Sequence, residues 1–92
     1  MYGVVVRVEI DAGRGDEATK MLHDTVVPQV KSLDGFVRGV WLRSTDGTKG
    51  RGVVLFETEE QARAAAESAP RPPAGGPVEF EGAEVVEVVA EA

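Results

Sequence analysis

The 92-residue sequence predicts a single α+β domain in which two helices cover one face of a four-stranded antiparallel sheet. Tyr2 to Ile10 alternates as a strand does, three later segments are strand candidates rich in apolar residues, and two others repeat apolar residues at helical spacing. These segments follow one another in the order β-α-β-β-α-β. The length leaves room for one domain, residues 1–92, with one modest core.

The first half of the chain predicts a strand followed by a long helix. Tyr2 to Ile10 alternates and is rich in Val, which is typical of a strand. The first helix is expected to begin at the N-cap Asp16 and to run to about Leu33. Pro28 lies inside it and lacks a backbone N–H, so we expect a kink or a tightening of the last turns.

A hairpin and a second helix follow. Phe36 to Ser44 and Arg51 to Glu57 are the second and third strand candidates, joined by a polar, Gly-rich loop over 46–50. Thr58 and Gln61 have the spacing of a capping box at the start of the second helix.

The second helix, to about Ala69, carries a face of small residues: Ala62, Ala65, Ala66 and Ala69. Such a face either packs tightly on the sheet or leaves volume for a small apolar ligand, and both interpretations are open. The loop from Pro70 to Pro77 leads to the last strand, expected over 78–80 and 83–89 with a bulge at Gly82. The resulting order is the ferredoxin-like split βαβ.

The predicted sheet is apolar on both faces. The second face carries Val5, Val40, Leu42, Val53, Leu55, Val86 and Val88. Two helices can cover only one face, and burying about seven side chains would contribute roughly 10–20 kcal/mol as an upper estimate. That is comparable to the stability of a small domain. We therefore expect a second copy of the chain on this face, giving a homodimer.

Composition excludes several classes of function. The net charge is −6 and no Lys/Arg cluster is present, which argues against nucleic-acid binding and against anionic membranes. The absence of Cys excludes disulfides and Cys-based metal sites. No signal-peptide pattern and no apolar run of about 20 residues is visible, so a cytoplasmic protein is expected.

Three single residues are candidates for ligand chemistry. His23, the only histidine, lies at the boundary of the apolar stripe of the first helix and is a candidate general base, although an exposed helix histidine is the favoured interpretation. Trp41, the only tryptophan, is placed mid-strand on the second face. It could stack on an aromatic ligand there, but an anchor of core or interface packing is the favoured interpretation. Tyr2 either offers its phenol to a bound ligand or is an ordinary strand residue with its hydroxyl at the sheet edge.

Four arginines lie on the strand candidates: Arg7, Arg38, Arg43 and Arg51. One that points inward would hold a phenolate or carboxylate. Cross-strand pairing with Glu9 or Glu57 is the favoured alternative.

Four stretches resemble a known family: residues 26–28, 33–36, 40–43 and 53–62. They are similar to the helix 1 to strand 2 region and the strand 3 to helix 2 region of dimeric α+β barrel proteins. The nearest named group is the antibiotic biosynthesis monooxygenase (ABM) family. The resemblance implies two ferredoxin-like subunits that pack sheet against sheet into a closed barrel, each with a pocket between its sheet and helices.

Members similar to this chain include cofactor-independent oxygenases of polycyclic phenols and haem-degrading enzymes. The haem-degrading pattern has an Asn on the first strand and a His on the second helix. Here Tyr2 to Ile10 contains no Asn and residues 59–69 contain no His, so the resemblance does not extend to haem degradation.

We therefore expect a monooxygenase-like protein that needs no cofactor or metal and acts on a small aromatic, quinol-type metabolite. His23 is the expected base, Tyr2 and Trp41 the pocket walls, and Ala62 and Ala66 further ligand-binding residues. The alternative is a non-catalytic homodimer of the same fold that binds a small molecule or serves a structural role.

Overall fold

The computed structural model describes residues 1–68 and 71–92 and has the predicted α+β architecture. Its elements are β1 (Tyr2–Ile10), α1 (Gly15–Met21), a π-helical segment (Leu22–Val26), α2 (Val27–Lys31), β2 (Phe36–Arg43), β3 (Lys49–Phe56), α3 (Glu59–Ser68) and β4 (Val78–Glu87). The strands form one antiparallel sheet in the order β2-β3-β1-β4. The predicted helix end at Ala69 and loop start at Pro70 lie outside the described residues.

The first helix is continuous from α1 through the π-helical segment to α2. It begins one residue before the predicted N-cap, with Arg14 in the N-cap position and no capping side chain. Asp16 lies instead in the first turn, where its charge still interacts favourably with the helix dipole.

The first helix widens just before Pro28, which was not predicted, and tightens in its last turn, which was. Because Pro28 offers no N–H to the Asp24 carbonyl, the regular α-helical bonding is interrupted there. Just before it, the Val27 N–H donates to the Leu22 carbonyl, five residues back. This bond closes the π-helical segment. In the last turn the Ser32 N–H donates to the Gln29 carbonyl at 3.2 Å and the Leu33 N–H to the Val30 carbonyl at 3.1 Å, each three residues back.

The capping box at the start of α3 is confirmed. The Gln61 N–H donates to Thr58 Oγ1 and the Thr58 N–H donates to Gln61 Oε1, both at 3.1 Å. Gly35, at the end of the first helical region, has a φ of 76°. A β-carbon there would lie 1.9 Å from Gln61 Oε1, so both the turn and the cap require glycine.

The last strand differs from the prediction in two details. The bulge lies at Glu81 rather than at Gly82, because the β1 register shifts there. The strand ends at Glu87, so its predicted extension to Val89 is wrong. Beyond Glu87 one further backbone bond forms, from the Val88 N–H to the Met1 carbonyl at 3.0 Å.

The core lies between the sheet and the segments α2 and α3. Its buried members are Val4, Val30, Val54, Phe56, Ala62 and Ala65. Phe56 is 1% exposed and is the largest fully buried side chain of the described residues. Apart from Ile10, the buried apolar side chains of the described residues all belong to this cluster, so the part of the sheet under α1 is less completely covered.

Candidate functional site

Trp41 lies on the helix-covered face of the sheet, which corrects its predicted place on the second face. It is paired with Gly52, which is paired in turn with Val6, and Val6 packs against the core. The register shifts between Phe36 and Arg38, so the alternation at the start of β2 does not continue unchanged to Trp41.

The indole ring of Trp41 lies over two glycines. A β-carbon at Gly39 would be 2.7 Å from Trp41 Cη2, and one at Gly52 would be 3.1 Å from Trp41 Cδ1 and Nε1. The ring therefore occupies the space of the two missing side chains and lies against the sheet. Sequence reasoning missed this pair of glycines. The visible signal was that Gly39 lies two residues before Trp41 on β2 and that Gly52 lies two residues after Gly50 on β3.

We call the space between α1 and the sheet the first-helix groove. Its residues are half-buried: Val6, Val8, Ala18, Leu22 and Trp41. Neither α1 nor the π-helical segment contains a buried residue. The half-burial of these residues leaves part of an apolar surface accessible to solvent.

Arg43 spans one end of this groove. It is paired with Gly50, which is paired with Val8, so it lies on the covered face. Its Nη1 donates to the Thr19 hydroxyl at 3.2 Å and to the Gly15 carbonyl at 3.3 Å. These two bonds connect the end of β2 to the first turns of α1.

The remaining strand arginines lie on the open face. Arg7 approaches Glu84 and Arg51 approaches Glu81, each at 4.0 Å. Two of the four strand arginines thus pair across strands, but with partners on β4 and not with the predicted Glu9 or Glu57.

His23 and Tyr2 lie apart from the centre of the groove. His23 is exposed on the π-helical segment. Tyr2 is half-buried on the covered face and packs against the core. It lies four residues along β1 from Val6, the residue level with Trp41, which corresponds to about 13 Å. The structure therefore does not bring the phenol and the indole together.

The alanine face of α3 packs closely against the sheet. Ala62 is 0% exposed and Ala65 is 7% exposed, both within the core cluster. Ala66 is half-buried and packs against the same cluster. Of the two open interpretations of this face, close packing describes Ala62 and Ala65.

Two surface recesses lie outside the first-helix groove. One of about 500 Å³ lies beside the outer side of α3 and includes Asp34 and Glu60. The other, of about 360 Å³, is formed by the loop from Pro72 to Gly76 with Phe80. Within residues 1–68 and 71–92, no group of three His, Asp or Glu side chains is placed to hold a metal ion. No helix in the described part of the chain is long and apolar enough to cross a membrane.

Comparisons with family profiles and with curated protein sequences find no match. Solved structures do match over the whole chain. The haem degrader MhuD from Mycobacterium tuberculosis, with two haems in its active site, has a TM-score of 0.73 at 23% identity, covering 100% of this chain and 99% of that one. A MhuD variant with two manganese protoporphyrins has 0.69 at 22%, covering 100% and 98%.

A monooxygenase from Streptomyces coelicolor, ActVA-Orf6 in complex with Nanaomycin D, has a TM-score of 0.65 at 19% identity, covering 99% of this chain and 89% of that one. The chain has the ABM-like fold. This is the α+β ferredoxin-like fold, with one four-stranded antiparallel sheet, that the resemblance of the sequence implied.

MhuD holds two haems in its active site. Haem iron is commonly held by a proximal His or by a Cys thiolate. The chain has no Cys, and its only histidine, His23, is exposed on the first helix. Tyr2, the only tyrosine, packs against the core, as Val6 and Trp41 do, and lies four residues along β1 from Val6. These residues do not fit haem.

Proposed function

We propose that this protein is a cofactor-independent monooxygenase that oxidises a small aromatic, quinol-type metabolite in the first-helix groove. The observation that carries the proposal is the indole of Trp41, lying against Gly39 and Gly52 among half-buried apolar residues. A flat aromatic surface in an apolar cleft suits offset stacking of a ring system. The ABM-like fold, shared with the monooxygenase ActVA-Orf6, supports this class of reaction.

The reaction that suits such a substrate needs only O₂. A base removes the phenol proton, and the resulting anion transfers one electron to O₂. The substrate radical and superoxide then combine at a ring carbon to form a peroxide, which loses water to leave a carbonyl. Written for the keto form, one CH₂ group and one O₂ give one C=O and one H₂O, so atoms and electrons balance.

We assign the base to His23, which would act from the solvent-exposed edge of the groove beside Leu22. An imidazole is the side chain that most often moves protons near neutral pH. His23 follows Leu22, a residue of the groove, in the widened segment of the first helix. Its exposure leaves the proton it accepts free to exchange with water.

The test is O₂ uptake with a panel of anthrones and naphthols. We expect uptake with the unaltered protein and a loss of about 10²-fold or more in kcat for His23→Gln, since general bases typically contribute 10²–10⁴-fold. Thr25→Ala changes an exposed neighbour in the same segment and should leave kcat unchanged. Trp41→Leu should raise KM. No O₂ uptake above background with the unaltered protein would contradict the proposal.

The functional unit that we infer is a homodimer formed through the open face of the sheet. This face presents Val5, Val40, Leu42, Val53, Leu55 and Val86. Leu42 is 53% exposed and Val40 is 40% exposed in the single chain. Apolar patches of this kind commonly mark an interface, and the dimeric barrel fold supports a second copy as its partner. Sedimentation as a monomer at micromolar concentration would contradict it.

A ligand-binding homodimer without catalysis is the second candidate. The exposure of His23 favours it, as does Ala62, which at 0% exposure closes the space under α3. A ligand that raises the melting temperature by mass action while O₂ uptake stays at background would select this alternative.

A further inference from the structure

Arg43 is the one basic residue on the helix-covered face of the described strands. The other basic strand residues, Arg7, Arg38, Lys49 and Arg51, all lie on the open face. Three of these four have a carboxylate partner within 4.0 Å. Arg43 has no carboxylate within 4.0 Å among residues 1–68 and 71–92. A positive charge at an apolar groove is therefore left without an opposite charge.

The guanidinium of Arg43 is only partly used by the protein. Its two hydrogen bonds, to Thr19 and Gly15, both come from Nη1. A guanidinium carries five N–H groups, and the pair on Nε and Nη2 forms a fork that matches a carboxylate. In the described residues this fork has no hydrogen-bond partner. By contrast, Arg63 directs its Nε and Nη2 to Glu59.

The position of Arg43 relative to Trp41 sets the size of a ligand that would meet both. They are two residues apart on the same face of β2, which corresponds to about 7 Å between their Cα atoms. A bicyclic or tricyclic ring stacked on the indole would extend about that far. An anionic group at the end of such a ring would reach the guanidinium.

We propose that Arg43 selects ligands of the first-helix groove that carry an anionic oxygen group. It prefers a carboxylate attached to the ring to an ionised hydroxyl. The two bonds of Nη1 hold the guanidinium at the end of the groove, and its Nε–Nη2 fork binds the anion. A net charge of −6 gives the rest of the chain little general attraction for anions, so recognition depends on this side chain. The inference rests on the proposed use of the groove and not on the oxidation step.

Calorimetric titration with matched probes tests the inference. The probes are 2-naphthoate, its neutral analogue 2-naphthamide, and 2-naphthol at pH values below and above its ionisation. We expect the unaltered protein to bind 2-naphthoate about tenfold or more tightly than 2-naphthamide, since hydrogen bonds to charged groups are the stronger ones. Ionised 2-naphthol should bind more tightly than its neutral form, but by a smaller factor.

Variants at two arginines separate recognition from structure. Arg43→Gln should abolish the preference for 2-naphthoate over 2-naphthamide, and Arg43→Lys, which keeps the charge without the fork, should retain part of it. Arg63→Gln is the control, because Arg63 is exposed on α3, lies outside both the groove and the open face, and should leave the preference unchanged. If Arg43 served only to hold α1 in place, its replacement would weaken the binding of 2-naphthoate and of 2-naphthamide by the same factor.

The outcomes distinguish this inference from the proposed oxidation. Selective binding of 2-naphthoate that depends on Arg43 supports the inference even where no O₂ uptake is found. Equal affinity for 2-naphthoate and 2-naphthamide would overturn it. So would a preference that survives in both Arg43→Gln and Arg43→Lys, or no binding of any probe at millimolar concentration.

Discussion

The indole of Trp41 lies over Gly52, with Cδ1 and Nε1 each 3.1 Å from the position of a β-carbon on that glycine. Gly39 lies under the other end of the same ring, where a β-carbon would be 2.7 Å from Cη2. The two glycines therefore decide how closely the ring approaches the sheet, and with it the floor of the first-helix groove.

Adding a methyl group under this ring should destabilise the protein. We expect Gly39→Ala to lower the free energy of unfolding by about 1–3 kcal/mol, as overpacking does, and Gly52→Ala to cost less because its contact is less close. Denaturant unfolding followed by circular dichroism measures both, and it also serves for variants that lack Trp41. In a Trp41→Ala background the cost of Gly39→Ala should largely disappear. Additive costs would show that the ring does not oppose the methyl group.

Close packing under α3 gives a second prediction. Ala62 is fully buried, whereas Ala64 on the same helix is exposed. Ala62→Leu should therefore lower the free energy of unfolding by about 1–3 kcal/mol, while Ala64→Leu should change it by less than about 0.5 kcal/mol. Chemical denaturation of the two variants measures the difference. Equal tolerance of leucine at both positions would indicate a vacant space under the helix.

The fold could be predicted because its signals are local. The alternation of β1, the capping box of Thr58 and Gln61, and Gly35 after the first helix each depend on residues within a few positions. Element order then restricted the topology to few choices. Where local bonding has alternatives, as at Pro28, the sequence indicated an irregularity but not that the helix would widen.

The site could be predicted only in part, because it depends on register. The pairing of Trp41 with Gly52 places the indole on the helix-covered face. A one-residue shift in register at the start of β2 decides this, because such a shift moves every later side chain of the strand to the opposite face. The contact of Arg43 with Thr19 joins residues 24 positions apart and depends on where α1 lies over the sheet. Periodicity identified these residues as strand or helix members and could not pair them.

The turn between β2 and β3 is expected to make stability depend on acid pH. The Asp46 carboxylate accepts hydrogen bonds from the Thr48 N–H at 3.0 Å, the Ser44 hydroxyl at 2.7 Å and the Thr48 hydroxyl at 2.8 Å. These bonds favour the charged form and lower the pKa of Asp46 from 3.8 to about 2.

Because the folded pKa lies below the unfolded one, this contribution is present above about pH 4 and is lost as the pH falls towards 2. Asp46→Asn should therefore lose less stability than the unaltered protein between pH 5 and pH 2.5, measured by denaturant unfolding at each pH. Asp34→Asn, at another exposed carboxylate, is the control. The same pH dependence in Asp46→Asn and the unaltered protein would contradict the prediction.

The open face of the sheet gives the sharpest test of assembly. Leu42 is 53% exposed in the single chain and is paired with Arg51 on this face. If a second copy covers it, Leu42→Glu would place a carboxylate against apolar residues at a cost of several kcal/mol, and the protein should become monomeric at micromolar concentration. Ala64→Glu adds the same charge on the exposed side of α3 and should leave the dimer intact. Sedimentation velocity compares the two variants, and circular dichroism confirms that both are folded. A Leu42→Glu protein that still sediments as a dimer would show that the copies meet through another surface.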